Sequence, residues 1–296
     1  MATSVERSFT AASTIEEALA ARRRGAAVLA GGTWMMRDPR RGVELPEAVV
    51  ALHRIPALSK VEIGSDHVVI GAAVTHAVVG RALHGAAGFE GLVAAAENAA
   101  NPGIRKVATV GGNLCALDFA AADLAPALLV CEAAVELETF EGPKLLGISD
   151  FLKDRHTLLA EAIVTRIHLR RDLVASAHIR LPLRKAGDYP VAIVSLAVDK
   201  DKRCRIAVGS VEPVARRWTA LEQAMAADSA SAFDPERAAG LALEHNDFQG
   251  RDGKEAEGWY RRQVLPPLVK RGVAALLKTG AWHDRDIPAE WRGLPL

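Results

Sequence analysis

Two glycine pairs, each with uncharged hydrogen-bonding side chains beside it, are the features of this sequence best suited to chemistry. The first pair, Gly31-Gly32, follows an apolar stretch and precedes Thr33. The second, Gly111-Gly112, follows a β-branched run that contains Thr109 and is itself followed by Asn113. Adjacent glycines at the end of a strand permit positive φ and leave no Cβ to hold a ligand away. A tight turn would explain either loop alone, but two together favour a diphosphate bound from both sides by main-chain N–H groups.

The sequence lacks the other common motifs of catalytic and phosphate-binding sites. It contains no Gly-x-Gly-x-x-Gly, no Walker motif, no Gly-x-Ser-x-Gly and no pair of histidines at zinc-ligand spacing on a helix. Its three cysteines, Cys115, Cys131 and Cys204, include no Cys-x-x-Cys pair. This argues against a disulfide framework and against an iron–sulfur or zinc site made by this chain alone. We therefore expect neither catalytic side chains nor a metal site, and any chemistry would come from a bound cofactor.

Bulk properties predict a cytoplasmic globular protein. Half of its 296 residues are hydrophobic and a quarter are charged, as in most globular domains. The formal net charge of +1 gives no support for a nucleic-acid or membrane partner. The N-terminal stretch lacks the apolar core of a signal peptide, and no segment reaches the length of a membrane span. The few, widely spaced cysteines favour a reducing compartment.

Hydrophobic periodicity and capping signals predict an α+β chain in three lobes. The first lobe begins with a helix over about Ile15–Arg24 and continues as a strand into the first glycine pair. In the middle lobe a strand is expected to run directly into the second glycine pair, with no helix starting for several residues, and Asp123 is expected to cap a later helix. The last lobe is predicted to be an antiparallel sheet followed by three helical segments, the last broken at Pro266-Pro267. Its three strands are His178–Leu183, Val191–Val198 and Cys204–Val211.

At the two glycine pairs the chain resembles the FAD-binding subunits of molybdenum hydroxylases, a family that includes carbon monoxide dehydrogenase and xanthine dehydrogenase. The resembling motifs are Ala30–Thr33 and Ile104–Leu114, and the resemblance covers most of the chain. It implies an α+β fold with a two-lobed FAD-binding domain of the PCMH/vanillyl-alcohol-oxidase-like type and a C-terminal antiparallel-sheet-and-helix domain. The implied parts are an N-terminal FAD-binding lobe at 1–57, a second lobe at 58–172, the C-terminal α+β domain at 173–280 and an irregular tail at 281–296.

The resemblance also implies which residues bind FAD. Asp123 matches an aspartate that hydrogen-bonds the ribityl chain, and Tyr189, after Lys185–Asp188, matches a tyrosine that lies against the isoalloxazine ring. Val164 matches a position that touches the flavin through its main chain. Asp123 is expected to be a helix N-cap in either case, and an exposed turn residue is the alternative for Tyr189. The full set of implied cofactor-binding residues is Leu29, Ala30, Gly31, Gly32, Thr33, Trp34, Met35, Thr109, Val110, Gly111, Gly112, Asn113, Asp123, Val164 and Tyr189.

Two positions depart from the family's pattern on the side of the flavin ring. Trp34 stands where the family has an acidic or polar residue, and its indole would either stack on a ring or fill space. Leu181 stands where the family often has a lysine near the flavin. Cys115 closely follows the second glycine pair, where either a reactive thiol or a buried apolar side chain would fit.

The function that the resemblance implies is electron transfer by bound FAD. Substrate would be oxidised at a molybdopterin cofactor on a large subunit, and electrons would cross two 2Fe–2S clusters on a small iron–sulfur subunit to the FAD of this chain. NAD, a quinone or oxygen would accept them, and the complex would be a dimer of heterotrimers. The alternatives are a stand-alone FAD oxidoreductase of the same fold and a structural subunit without flavin, which the departures at Trp34 and Leu181 would fit.

Overall fold

The computed structural model describes residues 7–184, 188–232 and 234–279, and it shows an α+β protein. Among these residues the strands are β1 (Ser8–Ala11), β2 (Ala27–Leu29), β3 (Ala48–Ala51), β4 (Val61–Ile63), β5 (His67–Gly71), β6 (Ala134–Thr139), β7 (Gly142–Gly147), β8 (Ala162–Arg170), β9 (Leu173–Pro182), β10 (Pro190–Asp199), β11 (Cys204–Gly209) and β12 (Arg216–Arg217). The helices are α1 (Ile15–Arg23), α2 (His76–Ala82), α3 (Glu90–Asn98), α4 (Pro102–Arg105), α5 (Val110–Cys115), α6 (Leu124–Val130), α7 (Ile148–Leu158), α8 (Thr219–Ala227), α9 (Pro235–Glu244), α10 (Gly258–Gln263) and α11 (Leu265–Leu277). Short 3₁₀ segments lie at Met35–Arg41, Pro56–Ser59 and Ser229–Ala232. The chain forms two compact units.

The first unit comprises residues 7–79, 102–117 and 133–169 and contains two sheets. The smaller sheet is parallel, in the order β1-β3-β2, with α1 connecting β1 to β2. Helix α1 begins where the Thr14 hydroxyl accepts a hydrogen bond from the Glu17 N–H at 3.2 Å, and its alanines pack on Val50 and Leu52. The larger sheet has the order β4-β5-β8-β6-β7. This unit therefore carries both glycine pairs.

The second unit comprises residues 80–101, 118–132 and 170–279 and is built on the antiparallel sheet β12-β11-β10-β9. All ten residues of β10 are buried because helices α8 and α11 cover one face of the sheet, with α9 packed on α11, while α3 and α6 pack against the other face. Strand alternation sends Ile179 and Leu181 of β9 into the core with α11, whereas Ser176, His178 and Arg180 lie on the opposite face. A polar row on β9 thus faces α3 and α6.

The α+β class is confirmed. Helix α9 begins after Asp234, whose carboxylate accepts hydrogen bonds from two N–H groups. The predicted break in the last helical segment falls at Val264, which places Pro266-Pro267 in the first turn of α11. The sequence pattern does not predict β1, β7 or α7. Strand β7 begins with Gly-Pro and is largely exposed, so it lacks the alternating apolar pattern by which strands are recognised. The parts at 1–57, 58–172 and 173–280 stay a prediction, and the tail at 281–296 lies outside the described residues.

Candidate functional site

The first glycine loop has unused hydrogen-bond donors. Strand β2 ends at Leu29, and Gly32 takes φ +69°, as predicted for a residue without a Cβ. Within the described residues, the N–H groups of Gly31, Gly32 and Thr33 have no hydrogen-bond acceptor. Three consecutive main-chain donors without partners give this loop a partly positive surface that suits an anion.

The two glycine segments lie side by side in the first unit. A Cβ added to Gly31 would lie 1.9 Å from the carbonyl oxygen of Val107, which precedes the second pair. A Cβ on Gly112 would lie 3.6 Å from the Cβ of Ala30. Glycine at position 31 is therefore required by the approach of one main chain to another, whether or not a ligand is bound.

The expectation that a strand runs into the second glycine pair is wrong. Helix α5 begins at Val110, and both glycines lie in its first turn without positive φ. Thr109 is the N-cap: its hydroxyl accepts a hydrogen bond from the Gly112 N–H at 3.0 Å. Glycine is needed at 111 because a Cβ there would lie 2.9 Å from the Ala72 carbonyl oxygen.

The second glycine pair also has its main-chain donors in use, unlike the first. The Val110 N–H donates to the Val74 carbonyl, the Gly111 N–H to the Ala72 carbonyl and the Asn113 N–H to the Thr109 carbonyl, each at 2.9 Å. The main-chain N–H groups of the second glycine pair are therefore not free to hydrogen-bond a diphosphate, as the prediction of binding from both sides requires. If this segment contributes to binding a diphosphate, it would do so through its side chains and because glycine lets the ligand approach the main chain closely.

Trp34 joins the two glycine segments within the first unit. Its indole N–H donates to the Leu117 carbonyl, just beyond α5, at 3.1 Å. The Arg41 guanidinium lies 4.0 Å from the centre of its ring, a cation–π contact. Of the two alternatives for this residue, these contacts favour packing within the protein. Met35, the next residue of the implied site, begins the 3₁₀ segment that carries Arg41.

Val164 lies in β8 opposite Leu137 of β6, and its side chain is buried. The pairing register shifts just beyond it, between Glu136 and Leu137, so that β8 carries a bulge around Thr165. With the side chain directed into the protein, a contact through the main chain, as the resemblance implies, is the remaining way for Val164 to meet a cofactor.

Asp123, in the second unit, does not cap the helix that follows it. Its own backbone is already helical, whereas an N-cap residue needs an extended conformation for its side chain to reach back. Instead, its carboxylate accepts a hydrogen bond from the Arg180 Nε at 2.7 Å, and both side chains are more than nine-tenths buried. His178 Nε2 lies 3.8 Å from the same carboxylate oxygen. The prediction of a cap is wrong, and a buried ion pair takes its place.

A cation lies near Asp123 although Leu181 is apolar, because the neighbouring residue supplies it. Leu181 packs into the core with the C-terminal helices, while its neighbour Arg180 reaches Asp123 and also donates to the Asp188 carbonyl. A positive side chain is therefore present on this face, one residue before Leu181. The period-two alternation of β9 is the signal that identifies it.

Tyr189 is half-buried, and it packs edge-to-face on Phe119 with ring centroids 5.5 Å apart. Residues 185–187 of the preceding stretch lie outside the described residues. An exposed turn residue, the alternative for Tyr189, does not fit this contact. Phe119 is a ring-bearing residue that sequence reasoning missed, because it lies in an irregular segment with no periodicity.

The three thiols have raised pKa values. Burial raises the pKa of Cys115, Cys131 and Cys204 to about 12 each, although Cys115 and Cys204 are only half-buried as whole residues. At a pH near 8 this leaves only about one thiol in ten thousand as thiolate. The structure thus favours a filling side chain at Cys115 over a reactive one.

We expect the folded protein to react very slowly with an aromatic disulfide reagent, and all three thiols to react at once after denaturation. The measurement is the release of the coloured thiol at pH near 8 with and without guanidinium. Rapid modification of one native thiol that is abolished by Cys115→Ser would instead establish a reactive cysteine beside the second glycine pair.

Within the described residues no group of histidine, cysteine and acidic side chains is arranged to hold a metal ion, and no helix has both the length and the apolar character needed to cross a membrane. In the first unit the candidate binding groups are the free donors at Gly31–Thr33. In the second unit they are the Asp123–Arg180 pair and the Phe119–Tyr189 rings.

Comparison with known proteins identifies the family. A family model described as the FAD binding domain in molybdopterin dehydrogenase matches residues 4–170. The nicotine 6-hydroxylase medium subunit of Paenarthrobacter nicotinovorans is 26% identical over 253 residues, 83% of this chain and 88% of that one. The xanthine dehydrogenase FAD-binding subunit of Escherichia coli O157:H7 is 28% identical over 169 residues, 55% of this chain and 58% of that one.

The fold has a counterpart among solved structures. A chain of carbon monoxide dehydrogenase from Hydrogenophaga pseudoflava matches with a TM-score of 0.79 at 23% identity, over 92% of this chain and 98% of that one. The predicted fold is confirmed by this likeness. Since the family model covers more than half of its length, this chain belongs to the family of FAD-binding domains of molybdopterin dehydrogenases, and it is an FAD-binding component of an oxidoreductase.

Proposed function

We propose that this chain is the FAD-carrying subunit of a multi-subunit molybdenum hydroxylase and passes electrons from iron–sulfur clusters to an external acceptor. The observation that carries the proposal is the row of free N–H groups at Gly31, Gly32 and Thr33, beside a main chain so close that Gly31 has no room for a Cβ. This arrangement fits the diphosphate of FAD. Its negative charge is stabilised by hydrogen-bond donors, and its size requires a main-chain surface without side chains.

In the first unit, the N–H groups of the first loop would bind the diphosphate. The Thr109 hydroxyl accepts from the Gly112 N–H and keeps its own proton available to donate outward. Asn113 adds a carboxamide next to it. Leu29, Ala30 and Met35 belong to the same loop and would contribute packing and main-chain atoms.

In the second unit, Asp123 would hydrogen-bond the ribityl chain with the carboxylate oxygen that Arg180 leaves unused. Arg180 supplies the positive charge that the family often provides through a lysine. The Tyr189 ring, oriented by Phe119, would lie against the isoalloxazine and limit its access to solvent. When bound, FAD supplies the chemistry by exchanging electrons singly or in pairs, which lets a one-electron donor serve a two-electron acceptor.

The partners in this proposal are an iron–sulfur small subunit and a molybdopterin large subunit, in a cytoplasmic dimer of heterotrimers. Two relatives are named as a medium subunit and an FAD-binding subunit, and the structural neighbour is a carbon monoxide dehydrogenase described as lacking the Mo-pyranopterin moiety of the molybdenum cofactor. NAD, a quinone or oxygen would be the acceptor.

The test is the flavin content of the chain purified with the subunits that accompany it. We expect a yellow complex that releases a stoichiometric amount of FAD on denaturation and whose flavin is reduced by substrate. A colourless, fully assembled complex would overturn the proposal in favour of a structural subunit. A yellow chain that turns over substrate with no partner would favour the stand-alone oxidoreductase.

Tyr189→Ala should leave FAD content near the wild-type level but change the visible absorbance of the bound flavin and speed its reaction with oxygen. The reason is that the change uncovers the ring without touching the first loop, and access and polarity are how a protein tunes a flavin. The measurements are the flavin spectrum and the rate of reoxidation in the assembled complex. Tyr260→Phe, at the chain's other tyrosine, is the control. A wild-type spectrum and rate in Tyr189→Ala would make Tyr189 a packing residue only.

A further inference from the structure

Two arginines, Arg251, which is partly buried, and Arg261, which is fully buried, meet at one serine in the second unit. Ser210 follows β11, is fully buried and takes φ +66°, a left-handed conformation that is uncommon for a residue with a side chain. Its carbonyl oxygen accepts hydrogen bonds from Arg251 Nε and from Arg261 Nη1, each at 3.0 Å. Such a conformation persists only where the surroundings hold it in place, and it concentrates at functional sites.

The same serine binds both segments that carry the ring-side residues. Its N–H donates to the Ala120 carbonyl at 3.0 Å, in the stretch that runs from Phe119 to Asp123. Its hydroxyl donates to the Pro190 carbonyl at 2.6 Å, directly after Tyr189. One residue therefore fixes the main chain beside both members of the Phe119–Tyr189 pair and close to Asp123.

Arg261, a fully buried residue of α10, reinforces this link. Its Nη1 also donates to the Val191 carbonyl at 2.6 Å, so a single guanidinium nitrogen connects the strand after Tyr189 to Ser210. Glu255 accepts from its Nη2 at 3.0 Å and compensates part of the charge. The planar guanidinium lets Nη1 bind the two carbonyls while Nη2 binds Glu255, and a single ammonium nitrogen cannot reproduce that spread of donors.

We infer that Ser210, held by Arg251 and Arg261, is a positioning residue that sets where Asp123 and Tyr189 stand relative to the flavin. This inference rests on the proposed FAD site. It assigns a role to a cluster that contains none of the implied cofactor-binding residues, because the cluster fixes the main chain of two segments that carry them.

The first test requires no flavin. Because the chain has only two tyrosines, fluorotyrosine labelling gives two fluorine NMR signals, which Tyr260→Phe assigns. Ser210→Gly removes the hydroxyl while glycine tolerates the left-handed backbone, so the protein should fold. In the apoprotein we expect the Tyr189 signal to shift or broaden and the Tyr260 signal to stay in place. An unchanged Tyr189 signal overturns the inference.

The second test uses the flavin-loaded complex. Ser210→Gly and Arg261→Lys should retain FAD but raise the fluorescence of each bound flavin roughly twofold or more, as the tyrosine ring loses its fixed place. The control is Ser231→Ala, which removes an equally buried hydroxyl that donates to the Asp228 carbonyl at 2.6 Å. It should lower the melting temperature without changing flavin fluorescence.

The outcomes separate this inference from the proposed function. If wild-type protein contains no FAD, the proposed function fails, and the fluorine signals still decide whether Ser210 positions Tyr189. If wild-type protein contains FAD but Ser210→Gly matches it in fluorescence, or Ser231→Ala changes fluorescence as much, the positioning role is wrong. Should Arg261→Lys fail to fold, Ser210→Gly alone decides.

Discussion

A Gly31→Ala variant should lose almost all bound FAD together with the native packing of the first unit. The added Cβ would lie 1.9 Å from the Val107 oxygen and 2.8 Å from its carbonyl carbon, and both are main-chain atoms that cannot rotate away. We expect a destabilisation of at least about 3 kcal/mol, the upper end of the usual cost of overpacking. The measurements are thermal unfolding by circular dichroism and FAD content per chain.

Gly112→Ala is the matched control, since it adds the same methyl group to the other glycine pair. Gly112 has ordinary helical geometry, and its Cβ would meet only the Thr109 hydroxyl at 2.9 Å and the Ala30 Cβ at 3.6 Å. Alanine also favours a helix over glycine by up to about 1 kcal/mol. This variant should fold and bind FAD less tightly. Equal losses of stability in the two variants would contradict the assigned packing, and full FAD affinity in Gly112→Ala would remove Gly112 from the site.

Asp123→Ala should destabilise the second unit far more than the loss of a helix cap would. It leaves the buried guanidinium of Arg180 without its carboxylate, which costs about 3–5 kcal/mol, against about 1 kcal/mol for a cap. Asp123→Asn keeps an acceptor for Arg180 and should fall between wild type and alanine. Urea unfolding and titration of the apoprotein with FAD measure the two effects separately.

The double variant Asp123→Ala with Arg180→Met distinguishes the structural part from the cofactor part. Because both charges are removed, much of the lost stability should return, while FAD affinity should stay low. Recovery of FAD affinity along with stability would show that Asp123 only neutralises Arg180. A loss of about 1 kcal/mol in the single variant would mean that the ion pair contributes little.

Much of the fold follows from local patterns, and the failures have identifiable causes. The first glycine loop is predictable because an apolar strand ends in two glycines, of which Gly32 takes positive φ. The second is mispredicted because β-branched residues near Thr109 favour a strand, whereas Thr109 itself is a good N-cap and packing against Ala72 fixes the helix. Local sequence does not show whether tertiary contacts stabilise the strand that the β-branched residues favour or the helix that Thr109 caps.

The ring-side residues are less predictable because their partners are far away in sequence. Aspartate is a residue type preferred at N-caps, but the Asp123 carboxylate instead accepts a hydrogen bond from Arg180, 57 positions later in the sequence. Alignment by motif placed the expected cation at Leu181, and only the alternation of β9 across the sheet shows that Arg180 is the residue on that face. Ser210 gives no sequence signal at all, since its role depends on backbone geometry and on three separate segments.

The interleaving of the two compact units along the chain has a consequence for biosynthesis and for fragments. Each unit takes three separate stretches, so that 80–101 and 118–132 belong with the later sheet although they interrupt the first unit. Neither stretch can reach its final packing until β9 to β11 have left the ribosome. A fragment ending at residue 170, where the family match ends, would hold α3 and α6 without the strands that bury them. The exposed leucines of α6 would then favour aggregation over folding, so we expect that the segment matched by the family model does not fold independently.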